Sequence, residues 1–311
     1  MLLALSRLLL SFLLTLAGAV LLTQLLLWAS PGDPVDLVPN GEEVRAELEQ
    51  EWGLDQPVLL RYGSFLYRSL QGDFGHSLTF RPGAEVSDLV FPAARRSLRL
   101  LVPALLLAMA MALPLALLSA GRSSLSRRLV QAISVAPVFL LAFLLVHILN
   151  ESAYGLMEAG QISRPSWFAL PDTDSWLKGL LAVLVLAVGS GSLTEVHAAC
   201  EDEIVRVRNS TYMDAVIARG APAWRHVLHN LLPPLSTIAA SRSAFLVGGL
   251  VIVEKVLHLN GAGAMLWQAC RLRDYPVALA ITVLAAAAVC GARLLGDLLR
   301  ISVDPRLRER A

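Results

Sequence analysis

The chain has 311 residues, of which 56% are hydrophobic and 16% are charged, and its formal net charge at pH 7 is +1. Soluble domains carry about 25% charged residues, whereas the mean hydropathy of this chain is +0.61. This composition excludes an ordinary soluble protein. We expect membrane lipid around the chain and no nucleic-acid partner.

Six apolar stretches are long enough to cross a bilayer, because about 20 helical residues span its hydrocarbon core. The first run is longer than the apolar region of a cleavable signal peptide, and no clear cleavage site follows it. The sequence therefore predicts an all-α integral membrane protein with six transmembrane helices. They occupy residues 8–29, 98–120, 129–149, 177–197, 235–258 and 277–299.

The distribution of arginines predicts the orientation in the membrane. Arginines recur near the amino terminus, in residues 121–128, in the loop 199–234 and in the carboxy-terminal tail, whereas residues 150–176 are mainly acidic. Cytosolic loops carry the excess of positive charge. We therefore expect both termini and the loop 199–234 in the cytosol, and residues 30–97 outside.

The outside segment has the pattern of a folded element. A helix over residues 41–52 is predicted from its cap residues Asn40 and Gly53, and a second helix is predicted over residues 57–70. So small a pair of helices buries little surface alone. We expect it to pack against the outer mouth of the bundle.

Small residues recur at every fourth position in three of the spans, which lets helix backbones approach closely in lipid. The pattern predicts a packed bundle, and the prolines inside the spans are expected to kink them, as suits a protein that moves. The small residues are Ala104, Ala108, Ala112, Ala116 and Ala120 in span two, Ala240, Ala244 and Gly248 in span five, and Ala288, Ala292 and Gly296 in span six; the prolines are Pro103, Pro114 and Pro137.

Ionisable side chains inside the predicted spans are functional candidates, because a charge in the hydrocarbon core is costly. Arg242 in span five and Arg293 in span six each lie roughly 10 Å inside the cytosolic boundary, at 1.5 Å per residue. Glu254 lies near the outer end of span five. Each arginine either extends to the lipid headgroups or lines a transport pathway. These three residues are our candidates for the pathway.

The chain has no recognisable motif for bond-breaking chemistry. It contains no G-x-x-x-x-G-K-[ST] phosphate loop, no G-x-S-x-G elbow and no H-E-x-x-H pair, and its three cysteines show no metal-ligand spacing. His226 and His229 fit the polar face of a helix better than a metal site. We expect no catalytic residue, no metal site and no cofactor in this chain. Any ATP that powers it must be hydrolysed by another subunit.

The chain divides into residues 1–97, with the first span and the outside segment, and residues 98–311, with a five-helix core that contains the loop 199–234. Gly220 separates two short helices in this loop. Pro233 and Pro234 are predicted to end the second helix and to begin span five.

The second short helix of the loop is amphipathic. Trp224, Val227, Leu228 and Leu231 fall at positions i, i+3, i+4 and i+7, which places them on one apolar face. Such a helix either lies flat on the membrane or docks into a groove on a partner. The glycine hinge and the preceding helix favour docking, because a membrane anchor needs neither.

These motifs resemble a known family of transport proteins. Asp214-Ala215-Val216, Gly220 and Leu231-Leu232-Pro233 are similar to the EAA loop of ABC-importer permeases, which fits a cleft on the ATPase subunit. The chain as a whole resembles the first permease subunit of the dipeptide/oligopeptide/nickel family. The match also includes PGDP (31–34), GLDQP (53–57), GDFGHS (72–77), GG (248–249) with Glu254, GAG (261–263), RDYP (273–276) and DPRLR (304–308).

The chain departs from the family pattern at several positions. Asp214 stands in place of the EAA glutamate, Val216 in place of its second alanine, and Ile217 where a basic residue is frequent. Asn260 replaces the proline before GAG. Arg242 stands where Gln is common and Arg293 where Asn is usual, so these two arginines motivate the hypothesis of an unusual or anionic substrate.

The resemblance implies a permease that imports peptides or a related small solute, such as a nickel chelate, across the bacterial inner membrane by alternating access. It implies four kinds of partner: a second permease subunit, two cytosolic ATPases that carry ATP and Mg, a periplasmic or lipid-anchored substrate-binding protein, and lipid. Trp224 and Leu228 enter our coupling set from the amphipathic face. The candidate coupling residues are Asp214, Ala215, Gly220, Trp224, Arg225, Leu228 and Pro233.

Two other functions are compatible with the residues alone. A gradient-driven secondary transporter usually has paired acids or broken helices at mid-membrane, and no acid lies at the centre of a predicted span. A non-transporting scaffold would use the loop only to recruit a cytosolic protein. The kinked spans with their rows of small residues favour transport over a scaffold.

Overall fold

The computed structural model describes residues 2–29, 34–37, 46, 49, 56–120, 128, 131–132, 136–161, 176–189 and 191–303. Within these residues the chain is helical, and its one extended pairing is an isolated bridge between His76 and Glu85. The predicted all-α class is confirmed. The helices are α1 (Leu2–Ala29), α2 (Val58–Leu70), α3 (Val86–Ser119), α4 (Val138–Glu158), α5 (Trp176–Val188), α6 (Ser192–Arg208), α7 (Thr211–Ala218), α8 (Ala223–Val256), α9 (Ala262–Arg271) and α10 (Tyr275–Val303), with a 3₁₀ turn over Pro34–Leu37.

Five of the described helices are each long and apolar enough to cross a membrane, namely α1, α3, α4, α8 and α10. Helices α5 and α6 pass the same test only together, as a pair bent by 48°. The stretch predicted as one straight fourth span thus contains the end of one helix and the start of another. Gly191, at the start of α6, has a φ of +72°, a conformation that glycine adopts without steric cost.

The third span is shifted relative to its prediction. Helix α4 begins at Val138 and continues to Glu158, whereas the apolar pattern predicted residues 129–149. Pro137 is the N-cap residue of α4, so the prediction of a kink at this proline is wrong. Proline suits the start of a helix, because the N–H that it lacks would have no partner there.

Of residues 30–97, the structure describes mainly the second half, from residue 56 onward. The predicted helix over residues 41–52 lies outside the described residues, apart from Ala46 and Glu49. The second predicted helix is α2, which is preceded by Pro57 and ends at Leu70 as expected.

The chain forms two compact units, one with residues 2–98 and 260–291 and the other with residues 99–259 and 292–311. In the first unit, the outside segment packs on α1. The Tyr62 hydroxyl donates to the Ala17 carbonyl at 3.0 Å. The ring of Phe74 is buried in the core of this unit, with its centroid 6.4 Å from that of Phe65 and 6.0 Å from that of Phe91. Helix α2 therefore packs on the first span, and its position at the outer mouth of the bundle stays a prediction.

A buried carboxylate joins the outside segment to the start of α10. Asp274 Oδ2 accepts hydrogen bonds from the Ser77 hydroxyl at 2.6 Å and from the backbone N–H groups of Thr79 at 3.1 Å and Phe80 at 2.9 Å. Its other oxygen, Oδ1, accepts from the Val277 N–H at 3.3 Å, as the side chain of an N-cap residue does. Asp274 is fully buried, so the outside loop and α10 share one anchor.

Helix α8 is central in the second unit. One buried apolar cluster packs its first half against α3, α6 and α7, and another packs its second half against α3, α4 and α5. Ala104, Ala108, Ala112 and Ala116 of α3 are completely buried. The row of small residues predicted for span two is therefore a packing surface.

In spans five and six, only some of the small residues that were predicted to pack are buried. Gly248 and Ala288 are exposed, whereas Ala240 and Gly296 are buried. A Cβ built on Gly296 would lie 3.0 Å from the Ala240 Cβ and 2.9 Å from the Ser236 carbonyl oxygen. Helices α8 and α10 thus meet at one close crossing that only glycine allows.

Candidate functional site

The loop between α6 and α8 contains the predicted glycine hinge. Gly220 has a φ of +70°, and its N–H donates to the Ile217 carbonyl at 2.9 Å while the Ala221 N–H donates to the Val216 carbonyl at 3.2 Å. This pair of bonds is the Schellman motif that ends a helix at glycine. Pro222 then serves as the N-cap residue of α8. The prediction of two helices divided at Gly220 is confirmed.

The prediction that Pro233 and Pro234 end the second helix is wrong. Helix α8 runs without interruption from Ala223 to Val256 and includes both prolines. Proline already has a helical φ, so its main penalty is the lost N–H and a clash with the preceding turn. The hydroxyls of Ser236 and Thr237 donate to the Pro233 carbonyl at 2.8 and 3.1 Å. The carbonyls that lose an N–H donor lie one turn before the prolines, so these two bonds reinforce the turn that follows Pro233.

The apolar face of this element is used inside the chain. Met213, Val227 and Leu231 are buried against Ile204 and Val207, near the end of α6. The predicted coupling residue Leu228 is half-buried beside the same cluster. These contacts hold α7 and the start of α8 in a defined position on the bundle.

The opposite face is exposed and polar. Asp214, Ala215, Gly220 and Arg225 are exposed, and the side chain of Trp224 is 60% exposed rather than packed with the apolar face. The Arg225 guanidinium lies 5.4 Å from the centre of the Trp224 ring. This surface offers charge and a large aromatic ring to a partner, the combination that is enriched at binding hot spots.

Polar contacts missed in the sequence connect α7 to α8. The Asn230 side chain donates to the Tyr212 hydroxyl at 2.9 Å, and the rings of Tyr212 and His226 pack edge to face with centroids 6.4 Å apart. Tyr212 and Asn230 are 18 residues apart on different helices, so no local period predicts their contact. They brace the hinge around Gly220.

The candidate pathway residue Arg242 is buried and paired. Its guanidinium forms an ion pair with the Glu195 carboxylate of α6, and the guanidinium carbon lies 4.4 Å from the centre of the Phe245 ring. Arg242 is therefore held inside the bundle and does not extend freely toward headgroups. Glu195 was not predicted as a functional residue. Its one signal in the sequence is that an acidic residue lies at the edge of an apolar stretch.

The other two candidates for the pathway lie apart from this pair. Glu254 is fully buried near the end of α8, roughly 18 Å from Arg242 along the helix axis at 1.5 Å per residue. Arg293 is exposed on α10. The structure thus separates the three candidates and pairs Arg242 with Glu195 of α6.

A buried polar contact joins α3 to α6. Ser119 Oγ lies 3.1 Å from His197 Nε2, and His197 Nδ1 lies 3.9 Å from a Glu201 carboxylate oxygen. The order of these residue types is that of a hydrolase triad, but the three side chains are buried and the His–Glu distance is too long for a hydrogen bond. The contact between Ser119 and His197 joins the two helices.

The family profile described as binding-protein-dependent transport system inner membrane component matches residues 104–309. Together with the apolar helices, this match defines a membrane permease. The chain belongs to this family, and it is a permease subunit of an ABC importer. The resemblance drawn from the motifs is confirmed, and the alternatives of a gradient-driven transporter and a scaffold are set aside.

Individual relatives cover nearly the whole chain. A Brucella ovis protein with the name "Putative peptide permease protein" is 30% identical over 308 residues, which covers 94% of this chain and 95% of the relative. The oligopeptide transport system permease protein AppB of Bacillus subtilis is 29% identical over 304 residues, with the same shares. The glutathione transport system permease protein GsiC of Salmonella typhimurium is 28% identical over 307 residues, again with 94% and 95% covered.

Proposed function

We propose that this chain is one of two non-identical permease subunits that together import peptides or a related small solute, such as a nickel chelate. The names of the relatives, which refer to peptides, oligopeptides and glutathione, support this class of solute. Two cytosolic ATPases hydrolyse ATP with Mg, and a periplasmic or lipid-anchored binding protein delivers the solute. The permease pair alternates between outward-open and inward-open states by rigid-body motion.

The observation that carries this proposal is the shape of the element around Gly220. Its apolar face is anchored on α6, while Asp214, Ala215, Trp224 and Arg225 are exposed. Helix α8 has 34 residues without a break, a length of roughly 51 Å at 1.5 Å per residue. A displacement of its exposed start by an ATPase therefore moves the whole of span five as one lever.

Pro233 belongs to this lever, and Leu228 belongs to its anchor. Pro233 lies inside α8, roughly three turns after Ala223, and its carbonyl accepts from two hydroxyls. Leu228 packs beside the cluster that holds the helix in place. We assign both residues to force transmission rather than to direct contact with the ATPase.

Gly220→Pro is expected to remove the ATPases from the complex. Proline requires a φ near −65° and has no N–H, whereas Gly220 has a φ of +70° and donates to the Ile217 carbonyl. The tagged chain is purified in mild detergent, and co-purifying proteins are identified by mass spectrometry. We expect a second permease and ATPase subunits with the wild type, and at least a tenfold loss of ATPase, about 1.4 kcal/mol, with the variant.

Gly160→Pro is a matched control. Gly160 also has a φ of +70°, and the N–H groups of Gly160 and Gln161 close the same motif at the end of α4, with carbonyl partners at 3.0 Å. This glycine lies in the loop that we place outside, so its replacement should leave the ATPases bound. A wild type that carries no ATPase, or an equal loss in both variants, would contradict the coupling role.

The proposed orientation predicts selective labelling of one cysteine. Cys270 on α9 is exposed, whereas Cys200 and Cys290 are buried. An impermeant maleimide added to intact cells with a permeable outer envelope should label Cys270 alone. Partial burial raises the pKa of the Cys270 thiol, so the reactive thiolate is scarcer at neutral pH and the labelling rate should still rise above pH 8.5.

Cys270→Ser is the control for this experiment and should abolish the labelling. If Cys270 reacts only after the inner membrane is opened, α9 lies in the cytosol and the proposed orientation is wrong.

A further inference from the structure

The ion pair between Glu195 and Arg242 is asymmetric. The Arg242 side chain is 9% exposed, whereas the Glu195 side chain is 54% exposed. The buried member is therefore the cation, and the member that reaches the surface is the anion. Both residues lie in helices that qualify as membrane spans, α8 by itself and α6 as part of the bent pair.

The exposed side of Glu195 does not fit contact with lipid tails. Charged groups at membrane depth face the bundle interior or a water-filled cavity, because an acidic side chain in hydrocarbon is costly. Two exposed residues of α8, Ser241 and Phe245, flank Arg242 in the sequence, and the Phe245 ring lies against the guanidinium. The Glu195 carboxylate and the Phe245 ring thus both contact the Arg242 guanidinium.

We propose that Glu195 is a specificity-determining residue that binds the primary ammonium group of a peptide-like solute during its passage, with Arg242 as the counter-ion. This inference rests on the proposed import of peptides. It assigns the pathway role to Glu195, whose side chain is exposed, and gives Arg242 the task of holding that carboxylate in place.

The chemistry of the site favours an ammonium group over an anion. A solute carboxylate would meet Glu195 first and be repelled, because the guanidinium that would attract it is buried. An ammonium group forms a charge-assisted hydrogen bond with the exposed carboxylate, and the Phe245 ring adds a face that attracts cations.

The neighbouring arginine also limits the strength of binding. A carboxylate already paired with Arg242 offers only part of its acceptor capacity to the solute. Transport requires a site that is strong enough to attract the solute and weak enough to release it. A carboxylate that is already paired with a guanidinium fulfils both conditions better than an unpaired carboxylate does.

The test replaces the chromosomal gene with a double variant, Glu195→Gln with Arg242→Gln, and measures initial uptake of radiolabelled trialanine. Single replacement of Glu195 would leave the buried Arg242 guanidinium without its counter-ion and destabilise the chain, so both charges are removed together. We expect normal amounts of assembled complex and about a tenfold fall in the uptake rate, since a charged hydrogen bond is lost.

A charge-swapped variant, Glu195→Arg with Arg242→Glu, separates recognition from structural support. If the pair only braces α6 against α8, the swap restores the ion pair and the uptake of trialanine. If Glu195 binds the ammonium group, the swap presents a cation to the solute and uptake stays low. Recovery of uptake in the swapped variant would therefore overturn the inference.

The same helix provides a matched control pair. Arg206 Nε donates to the Glu203 carboxylate at 2.8 Å, three residues apart on α6, and Arg206 is exposed. Neutralising this pair, with Glu203→Gln and Arg206→Gln, should leave trialanine uptake unchanged. An equal fall in uptake in the control would overturn the assignment, because loss of any ion pair on α6 would then explain the result.

The remaining outcomes are distinct. Wild-type uptake equal to that of a deletion strain contradicts the peptide substrate class, and the inference falls with it. Normal uptake in the double variant contradicts the inference alone and leaves the proposed function intact. Loss of the second permease subunit from the double variant would show that the pair belongs to a subunit interface, which also overturns recognition of the solute.

Discussion

Asp274→Ala is expected to lower the free energy of unfolding by about 3 kcal/mol and the apparent melting temperature in detergent by on the order of 5–10 °C. The Ser77 hydroxyl and the N–H groups of Thr79 and Phe80 lose the acceptor that they share. Each buried donor left unsatisfied costs about 1–3 kcal/mol, although water replaces part of this loss at partly buried groups. The missing N-cap bond to Val277 contributes about 1 kcal/mol more.

The local consequence of Asp274→Ala is release of the loop between α2 and α3. This loop is held to the start of α10 through that carboxylate and through a bond from the Thr79 hydroxyl to the Leu272 carbonyl. Limited proteolysis should therefore cut the variant near residues 77–80 at least tenfold faster than the wild type.

Asp73→Ala is the control for this prediction. Asp73 is an exposed acid in the same loop, with one hydrogen bond from the Gly75 N–H at 2.8 Å, and its loss should change stability by less than about 1 kcal/mol. Asp274→Asn should fall between the two variants, because an amide keeps one acceptor but turns an NH₂ group toward an N–H. Equal melting temperatures for Asp274→Ala and the wild type would show that the anchor contributes nothing.

Gly296→Ala is expected to destabilise the bundle by about 1–3 kcal/mol, and Gly296→Leu by more, through overpacking. The added Cβ meets the Ser236 carbonyl oxygen at 2.9 Å and the Ala240 Cβ at 3.0 Å. The nearest contact is backbone, so no rotamer change relieves it, and α8 must move away from α10. Thermal unfolding of the purified protein in detergent measures the effect.

Gly291→Ala on the same helix should have the opposite sign. A Cβ built on Gly291 meets no atom within 4 Å, and alanine favours a helix over glycine by up to about 1 kcal/mol. The identical change thus stabilises α10 at one position and separates α8 from α10 at the other. If both variants melt alike, the close crossing at Gly296 does not contribute to stability.

The helix content of the chain was well predicted because its signals are local. An apolar run of about 20 residues leaves the backbone no alternative to a helix in lipid, and Pro57 and Gly220 act on their own turns. The start of α4 and the break in the fourth span were missed for a related reason. Hydropathy alone does not separate a span from its flanking residues, while Pro137 and Gly191 decide the boundary.

The candidate site was predicted less completely. The positions of Gly220 and of the exposed Asp214 and Arg225 follow from the amphipathic pattern and the family motif. Trp224 was placed on the packed face because it shares the spacing of Val227, but its ring is exposed and lies outside the buried cluster that contains Val227. A helical period assigns a face, and the neighbouring helices decide how far along the helix that face is covered.

By itself, the sequence determined that this chain crosses the membrane several times, that α2 follows Pro57, and that a hinge lies at Gly220, because hydropathy, proline and glycine act within a few residues. Only the tertiary structure decided that α8 continues through Pro233 and that Glu195 is the partner of Arg242. The physical reason is that both features depend on groups beyond the local pattern. Buried clusters hold α8 against its neighbours before and after Pro233, and the partner of Arg242 is a charge on another helix whose separation along the chain follows no period.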